Sequence, residues 1–462
     1  MKKKTFKLAA LLLGAFIMVT ACQKEPPGKV PDKTHGHLKQ TNTYNSEVVA
    51  KWLEVQASML YRPSGNPLGF NPLRYMAYFG VALYESVVPG MPSYRSLQGQ
   101  LTDMPAMPST KPGVAYHWPT CAHAALAEMT RKFYGMLPAG VYNEAGVDMM
   151  ENQLNSQLLA ETNKITFDRS TAFGKEVATR VFEWSKTEKA AWPTIPYQLP
   201  AYYPGLYQTE SGAPVNPYWG YNRLMVPGSL NNTVSPPLTY STDVASLYYQ
   251  DMYEVYMISK NLTHEEKLIA KYFNDVNPGF PAGGHYISVF KQLVEQLNPS
   301  LDKTALAYAK TGITLMDAST GSFKTKYQYL TERPFSFIRT VIAPVPNPPS
   351  GQWVPFLSTP PFPDYPSNHS LFGNAVAAAL NSVFGNKTGF TDASYEGVMA
   401  DLGNGPENLG SRHYASFDEM AAEITISRLY GGIHYRYSCE VGGKQGRKIA
   451  QNIHNTLVFQ KP

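Results

Sequence analysis

The chain has 462 residues, of which 43% are apolar, 16% charged and 13% aromatic. It is long enough for up to about three ordinary domains, and too aromatic and too weakly charged to be disordered. The 40 Lys+Arg and 35 Asp+Glu give a formal charge of +5, but Lys2, Lys3, Lys4 and Lys7 lie in the first 21 residues, which hold no acid. The remainder carries 36 bases against 35 acids, and a nearly neutral body with no basic run excludes nucleic acid as a partner.

Met1 to Lys7 is basic and Leu8 to Val19 apolar. This apolar run is too short to span a bilayer and has the flanks of a secretory signal. Val19-Thr20-Ala21-Cys22 resembles a bacterial lipobox, which implies cleavage before Cys22 and lipidation of its thiol. The expected layout is a signal peptide over 1–21 and a Pro/Gly/Lys-rich tether over 22–42. The protein is then exported and lipid-anchored to a bacterial cell membrane, facing the periplasm or the cell surface. No later segment holds 18 uncharged apolar residues, so the N-terminal lipid is the only expected membrane contact. The other cysteines are Cys121 and Cys439. An exported protein permits one bridge between them, which sequence alone does not decide.

From Ser46 the apolar period is helical. Val48, Val49, Trp52, Val55, Met59 and Leu60 form one stripe, and similar patterns run over 71–88, 117–136, 142–163 and 168–188. A Pro/Tyr/Gly-rich stretch from Trp192 to Pro237 reads as a long ordered loop over the helices. Helical periodicity resumes over 241–260, 263–275, 285–298 and 302–331. A second Pro-rich loop, Pro344 to Pro366, precedes helices near 367–385 and 416–437 and a last one reaching Phe459, with a break expected at Gly442-Gly443. Thr263-His264-Glu265-Glu266 reads as a capping box and not as a metal cluster. Strand patterns are scarce. The prediction is an all-α protein of two packed helical bundles with long Pro-rich loops, divided into an N-terminal helical region (43–240) and a C-terminal helical domain (241–462).

Three segments of the C-terminal half carry chemistry. In Lys326-x6-Arg333-Pro334, the seven-residue spacing is close to two helical turns, so both cations are expected on one helical face before Pro334 stops the helix. In Tyr365-Pro366-Ser367-Asn368-His369, Ser367 is a good N-cap, which places His369 in a first turn where free N–H groups favour an anion. In Ser427-Arg428-x5-His434, the segment reads as one apolar helix, with Ser427 and His434 on a shared stripe and Arg428 curling back towards them. Two histidines with Lys326, Arg333 and Arg428 suit a multiply charged tetrahedral oxyanion. The cations neutralise its oxygens, Ser367 and backbone N–H groups add donors, and one imidazole can bond the central atom.

The order K-x6-RP, PSxH, SR-x5-H over about 326–438 resembles the tripartite motif of the vanadium-dependent haloperoxidase and type 2 phosphatidic acid phosphatase superfamily. Arg74-Tyr75-Met76-Ala77, Tyr84-Glu85-Ser86-Val87 and Pro281-Ala282-Gly283-Gly284-His285 extend the likeness towards the larger bacterial haloperoxidase-like proteins. The resemblance implies that Lys326, Arg333, Ser367, Asn368 and Arg428 hold the oxyanion. It makes His434 the vanadium ligand, or the nucleophile of a phosphatase, and His369 the acid–base residue. It also puts Phe323 and Phe362 beside the halide. Two positions depart from the pattern. Asn368 stands where the family usually has Gly and would narrow the pocket. Ser438 stands where an Asp commonly orients the second histidine, and a hydroxyl could accept from Nδ1–H but supplies no charge.

The leading expectation is a vanadate-dependent haloperoxidase-like enzyme that oxidises halide with hydrogen peroxide, bromide or iodide ahead of chloride. The alternatives are a periplasmic acid phosphatase acting on phosphomonoesters through a phosphohistidine, with phosphate in place of vanadate, and a degenerate oxyanion-binding protein.

Overall fold

The structure, a computed structural model, describes residues 39–61, 72–136, 143–210, 212–275, 279–281 and 283–462. The signal peptide, Cys22 and most of the expected tether lie outside the described residues. Lys39 and Thr41, at the tether's end, already lie against the body: Trp118 Nε1 donates to Lys39 O at 2.9 Å and Thr41 Oγ1 to Val87 O at 3.0 Å.

Helices form close to where the apolar stripes lie. In the N-terminal half they are α1 (Glu47–Leu60), α2 (Pro72–Val87), α3 (Trp118–Tyr134), α4 (Glu144–Glu161) and α5 (Lys164–Ser185). The C-terminal half holds α6 (Leu247–Lys260), α7 (His264–Tyr272), α8 (Gly284–Leu297), α9 (Leu301–Tyr329), α10 (Pro334–Phe337), α11 (Asn368–Phe384), α12 (Phe417–Tyr430) and α13 (Arg436–Thr456). Strands among the described residues are two short antiparallel pairs. β1 (Phe390–Asp392) pairs with β4 (Arg412–Tyr414), and β2 (Met399–Asp401) with β3 (Pro406–Asn408). The protein is all-α, and no helix of the described residues is long and apolar enough to cross a membrane. α7 begins with the expected capping box, Thr263 and Glu266 satisfying each other's backbone N–H.

One apolar core runs from Val48 to Phe459 and draws on both helical regions. α9 is its axis. Where α2 crosses it, a Cβ on Gly80 would stand 2.6 Å from Tyr308 O, and one on Gly312 2.3 Å from Met76 O. Only hydrogen fits at both crossings, so the two backbones nearly touch. The 192–237 loop is ordered over the same helix. Asp317 of α9, fully buried, accepts from the backbone N–H groups of Met225 (2.6 Å) and Val226 (3.0 Å), and Trp219 Nε1 donates to Ser319 Oγ (3.0 Å).

Two sequence expectations change, and the question of a disulfide is answered. The final helix does not break at Gly442-Gly443. α13 runs through it because the glycines let it press against the start of α11, where a Cβ on Gly442 would lie 2.8 Å from Ser367 O and one on Gly446 2.1 Å from Leu371 O. The break falls earlier, at Gly431-Gly432, where Gly432 has φ +72° and α12 has ended. Cys121 and Cys439 are free thiols, each buried in its own helix, α3 and α13, so no bridge joins them.

Candidate functional site

The site lies among the end of α9, the start of α11 and the α12–α13 junction. α9 stops at Leu330, which takes the left-handed conformation (φ +49°). Arg333 therefore does not share a helical face with Lys326, as the spacing suggested. It lies just past the turn as the residue that precedes Pro334 and α10. This turn is held by the 344–366 loop, since Asp364 N donates to Thr331 O (3.1 Å) and Tyr365 N to Thr331 Oγ1 (3.0 Å).

Lys326, Arg333 and Arg428 are buried. Lys326 Nζ donates to the carbonyls of Pro363 (2.8 Å) and Asp364 (2.6 Å). Arg333 donates through Nε to Phe362 O (2.9 Å) and through Nη1 to Ile433 O (2.7 Å). Arg428 donates through Nη2 to Phe273 O (2.5 Å) and through Nε to Ser427 Oγ (3.1 Å). Burial lowers the pKa of all three, Arg428 to about 10, and the charge of Arg333 adds to the effect on Lys326.

His434 is not on a shared helical stripe with Ser427. It sits in the short connection after Gly432, which turns it towards Arg333. Arg333 Nη1 is 3.1 Å from His434 Nε2, and a guanidinium only donates, so Nε2 accepts and Nδ1 carries the ring proton. Burial, then the charges of Arg333, Lys326 and Arg428, lower the His434 pKa, in keeping with the neutral ring that the Arg333 contact requires. Nδ1 faces not Ser438 but Asp364 Oδ2, at 3.0 Å. Burial raises the Asp364 carboxyl to about 6, against the pull of Arg333, Lys326 and Ser438.

Ser367 and Asn368 begin α11 as expected, Ser367 at the N-cap. Ser367 accepts from Ser370 Oγ (3.1 Å), and the Asn368 side-chain oxygen accepts from Ser322 of α9. His369, in the first turn, directs Nε2 to Asp275 Oδ2 (3.0 Å). Burial and the charge of Arg428 lower its pKa. Asp275 Oδ1 is 3.2 Å from His285 Nδ1, whose Nε2 lies 2.9 Å from Asp392 Oδ2. Burial opposes protonation of His285, but the two carboxylates raise its pKa to about 10. Phe323 and Phe362 meet edge to face (centroids 5.5 Å apart), with the Phe362 ring 5.1 Å from Lys326 Nζ and 5.0 Å from Arg333 Cζ.

Every C-terminal residue selected from the motifs is thus near these cations or next to one that is. Asp364, Asp275 and Asp392 were missed. Asp364 stands in the Pro-rich loop only five residues before His369, where an acid among prolines and aromatics was the available signal. Asp275 and Asp392 are remote in sequence and had none. The N-terminal motif residues are structural: Arg74 pairs with Glu188, while Glu85 accepts from Leu97 N (2.7 Å) and Ser96 Oγ (2.7 Å).

Chemically, the arrangement fits an oxyanion. Arg333 Nη2 is buried with no hydrogen-bond partner in the protein, beside two other buried cations and the acceptor nitrogen of a neutral imidazole. An anion among them would offset the cost of burying Lys326, Arg333 and Arg428 side by side. Among the described residues no three His, Cys, Asp or Glu side chains converge as a bare cation would need.

The family model of the VCPO second helical-bundle domain matches residues 307–460, the stretch that contains all three motifs. Taken with the relatives described next, this match supports the vanadium haloperoxidase superfamily for this chain. The solved structure of a bacterial vanadium-dependent iodoperoxidase is 28% identical with a TM-score of 0.73, and the match covers 91% of this chain and 98% of that one. The vanadium chloroperoxidase of Curvularia inaequalis is 26% identical over 173 residues, 29% of this chain and only 28% of the length of that protein. The apo form of a bacterial vanadium-dependent chloroperoxidase shares the fold at 15% identity and a TM-score of 0.61, covering 86% of this chain and 96% of that one.

Proposed function

We propose that this protein is a vanadate-dependent haloperoxidase that oxidises bromide or iodide with hydrogen peroxide, exported and held at a bacterial membrane through lipid on Cys22. The observation that carries the catalytic reading is the 3.1 Å contact between Arg333 Nη1 and His434 Nε2 inside a cluster of three buried cations. Lys326, Arg333, Arg428, Ser367 and Asn368 would hold vanadate, with His434 Nε2 as its protein ligand. When bound, vanadate supplies a Lewis acid that activates peroxide without changing its own oxidation state.

The protein's residues do the rest. Three cations withdraw charge from oxygen held in the cradle. His369 is fixed through Nε2 on Asp275, so Nδ1 is the atom left to give and take protons. Phe323 and Phe362 exclude water beside the cations, which favours a weakly hydrated halide. The structural relative described as an iodoperoxidase supports that order of halides.

The test is peroxide-dependent halogenation of an organic acceptor with and without added vanadate, beside phosphate release from p-nitrophenyl phosphate. Vanadate-dependent bromination or iodination is expected, with inorganic phosphate competing for the site. Phosphate release without halogenation would make the protein a phosphatase, and binding without either reaction an oxyanion carrier.

A further inference from the structure

His434 lacks the acid that the motif leads one to expect four residues later, where Ser438 stands. The imidazole nevertheless has a carboxylate on its far side. His434 Nδ1 and Asp364 Oδ2 are 3.0 Å apart. Nδ1, both Asp364 oxygens and Ser438 Oγ are all buried, and none of them makes a hydrogen bond of good geometry in the protein, the 3.0 Å approach of Nδ1 to Oδ2 included. Buried polar atoms left in one place without other partners must answer one another. Asp364 is also fixed independently of its side chain. Its N–H donates to Thr331 O (3.1 Å) and its carbonyl accepts from Lys326 Nζ (2.6 Å).

We infer that Asp364 is the positioning residue of His434, carrying from the Pro-rich loop the negative charge that Ser438 does not supply from α13. Its carboxylate faces the protonated Nδ1 and supports, from the far side of the ring, the tautomer that Arg333 favours at Nε2, leaving the Nε2 lone pair directed at the cradle. The inference rests on the oxyanion reading of the site and adds to it where the charge on the ligating histidine comes from. The competing role is a counter-ion for Arg333, whose Nη1 is 4.0 Å from the same oxygen. A counter-ion would steady the cation without selecting a tautomer.

The experiment uses the full chain labelled with 15N-histidine, with the His434 signals assigned by their loss in His434→Gln. In the vanadate-free wild type, the ring nitrogens should report a neutral imidazole protonated at Nδ1. In Asp364→Asn, that preference should relax towards a mixture of tautomers. Titration with orthovanadate should show binding weakened by roughly 10- to 100-fold in Asp364→Asn. In Asp364→Asn/Ser438→Asp, where the charge is returned to the position four residues after His434, most of the affinity and the Nδ1–H tautomer should come back. Unchanged tautomer and affinity in Asp364→Asn would overturn the inference in favour of the counter-ion. So would an Nε2–H tautomer in the wild type, a result that needs no variant to fold. If the wild type shows the expected tautomer but binds no orthovanadate, the functional reading fails while the positioning role stands.

Discussion

His369 Nε2 lies 3.0 Å from Asp275 Oδ2, and the other oxygen of that carboxylate lies 3.2 Å from His285 Nδ1. The acid–base candidate is thus the half-buried end of a series, His369–Asp275–His285–Asp392, whose other members are buried and whose last carboxylate accepts from Ser394 N (3.0 Å) and Gln292 Nε2 (3.3 Å). Asp275→Asn keeps the shape and removes the charge that orients His369 and supports its protonated form. Halide turnover is expected to fall about 10²-fold, within the range of a positioned acid–base group. Vanadate affinity should change only a few-fold, and steady-state kinetics beside calorimetry would separate the two.

The two motif histidines should part company in the same way. His434→Ala removes the only nitrogen proposed to bond vanadium, so tight vanadate binding should be lost. His369→Ala should still bind vanadate and lose halide oxidation by about 10²-fold or more. Equal, wild-type affinity in both variants would remove His434 from its assigned role.

His123 gives a pH dependence of stability away from the site. Its Nδ1 accepts from Trp52 Nε1 (3.1 Å) and its Nε2 faces Asn155 Oδ1 (3.2 Å), an arrangement that needs a neutral ring. Burial lowers its pKa to about 4 from 6.5. The unfolded chain takes up the proton first, so stability held above pH 6.5 is lost as pH falls through 4, by about 3 kcal/mol. Urea unfolding of wild type and His123→Gln across pH 7 to 4 should show a smaller loss in the variant.

Gly446 sets the approach of α13 to the cradle. With a Cβ 2.1 Å from Leu371 O, Gly446→Ala must push α13 away from the first turns of α11. A loss of about 1–3 kcal/mol is expected. Calorimetry should record it as a lowered melting temperature, with weaker vanadate binding because Ser367 and His369 move.

Cys22→Ser should abolish lipid attachment and move the protein from the membrane to the soluble fraction. Unchanged membrane fractionation of the variant would reject lipid anchoring at Cys22.

The helices and the chemical kit were legible from local pattern alone. An apolar period of 3.6 residues is a local property, so α1 to α5, α7 to α9 and α11 could be read directly. The cations and histidines were likewise legible as residue types at fixed spacing. How they converge was not. Lys326 and Arg333 meet across a left-handed turn at Leu330, not along a helix. His434 reaches Arg333 because Gly432 ends the preceding segment, while Gly442-Gly443, with the same composition, stays helical. A glycine pair signals only that a Cβ is missing, and whether that absence serves a turn or a close contact depends on which backbone lies opposite. The acids were the least visible. Asp364 and Asp275 acquire their meaning from the imidazoles that face them, and folding brings those together across 70 and 94 residues of chain. Charge pairing through space leaves no period in a sequence, so only the tertiary structure could decide it.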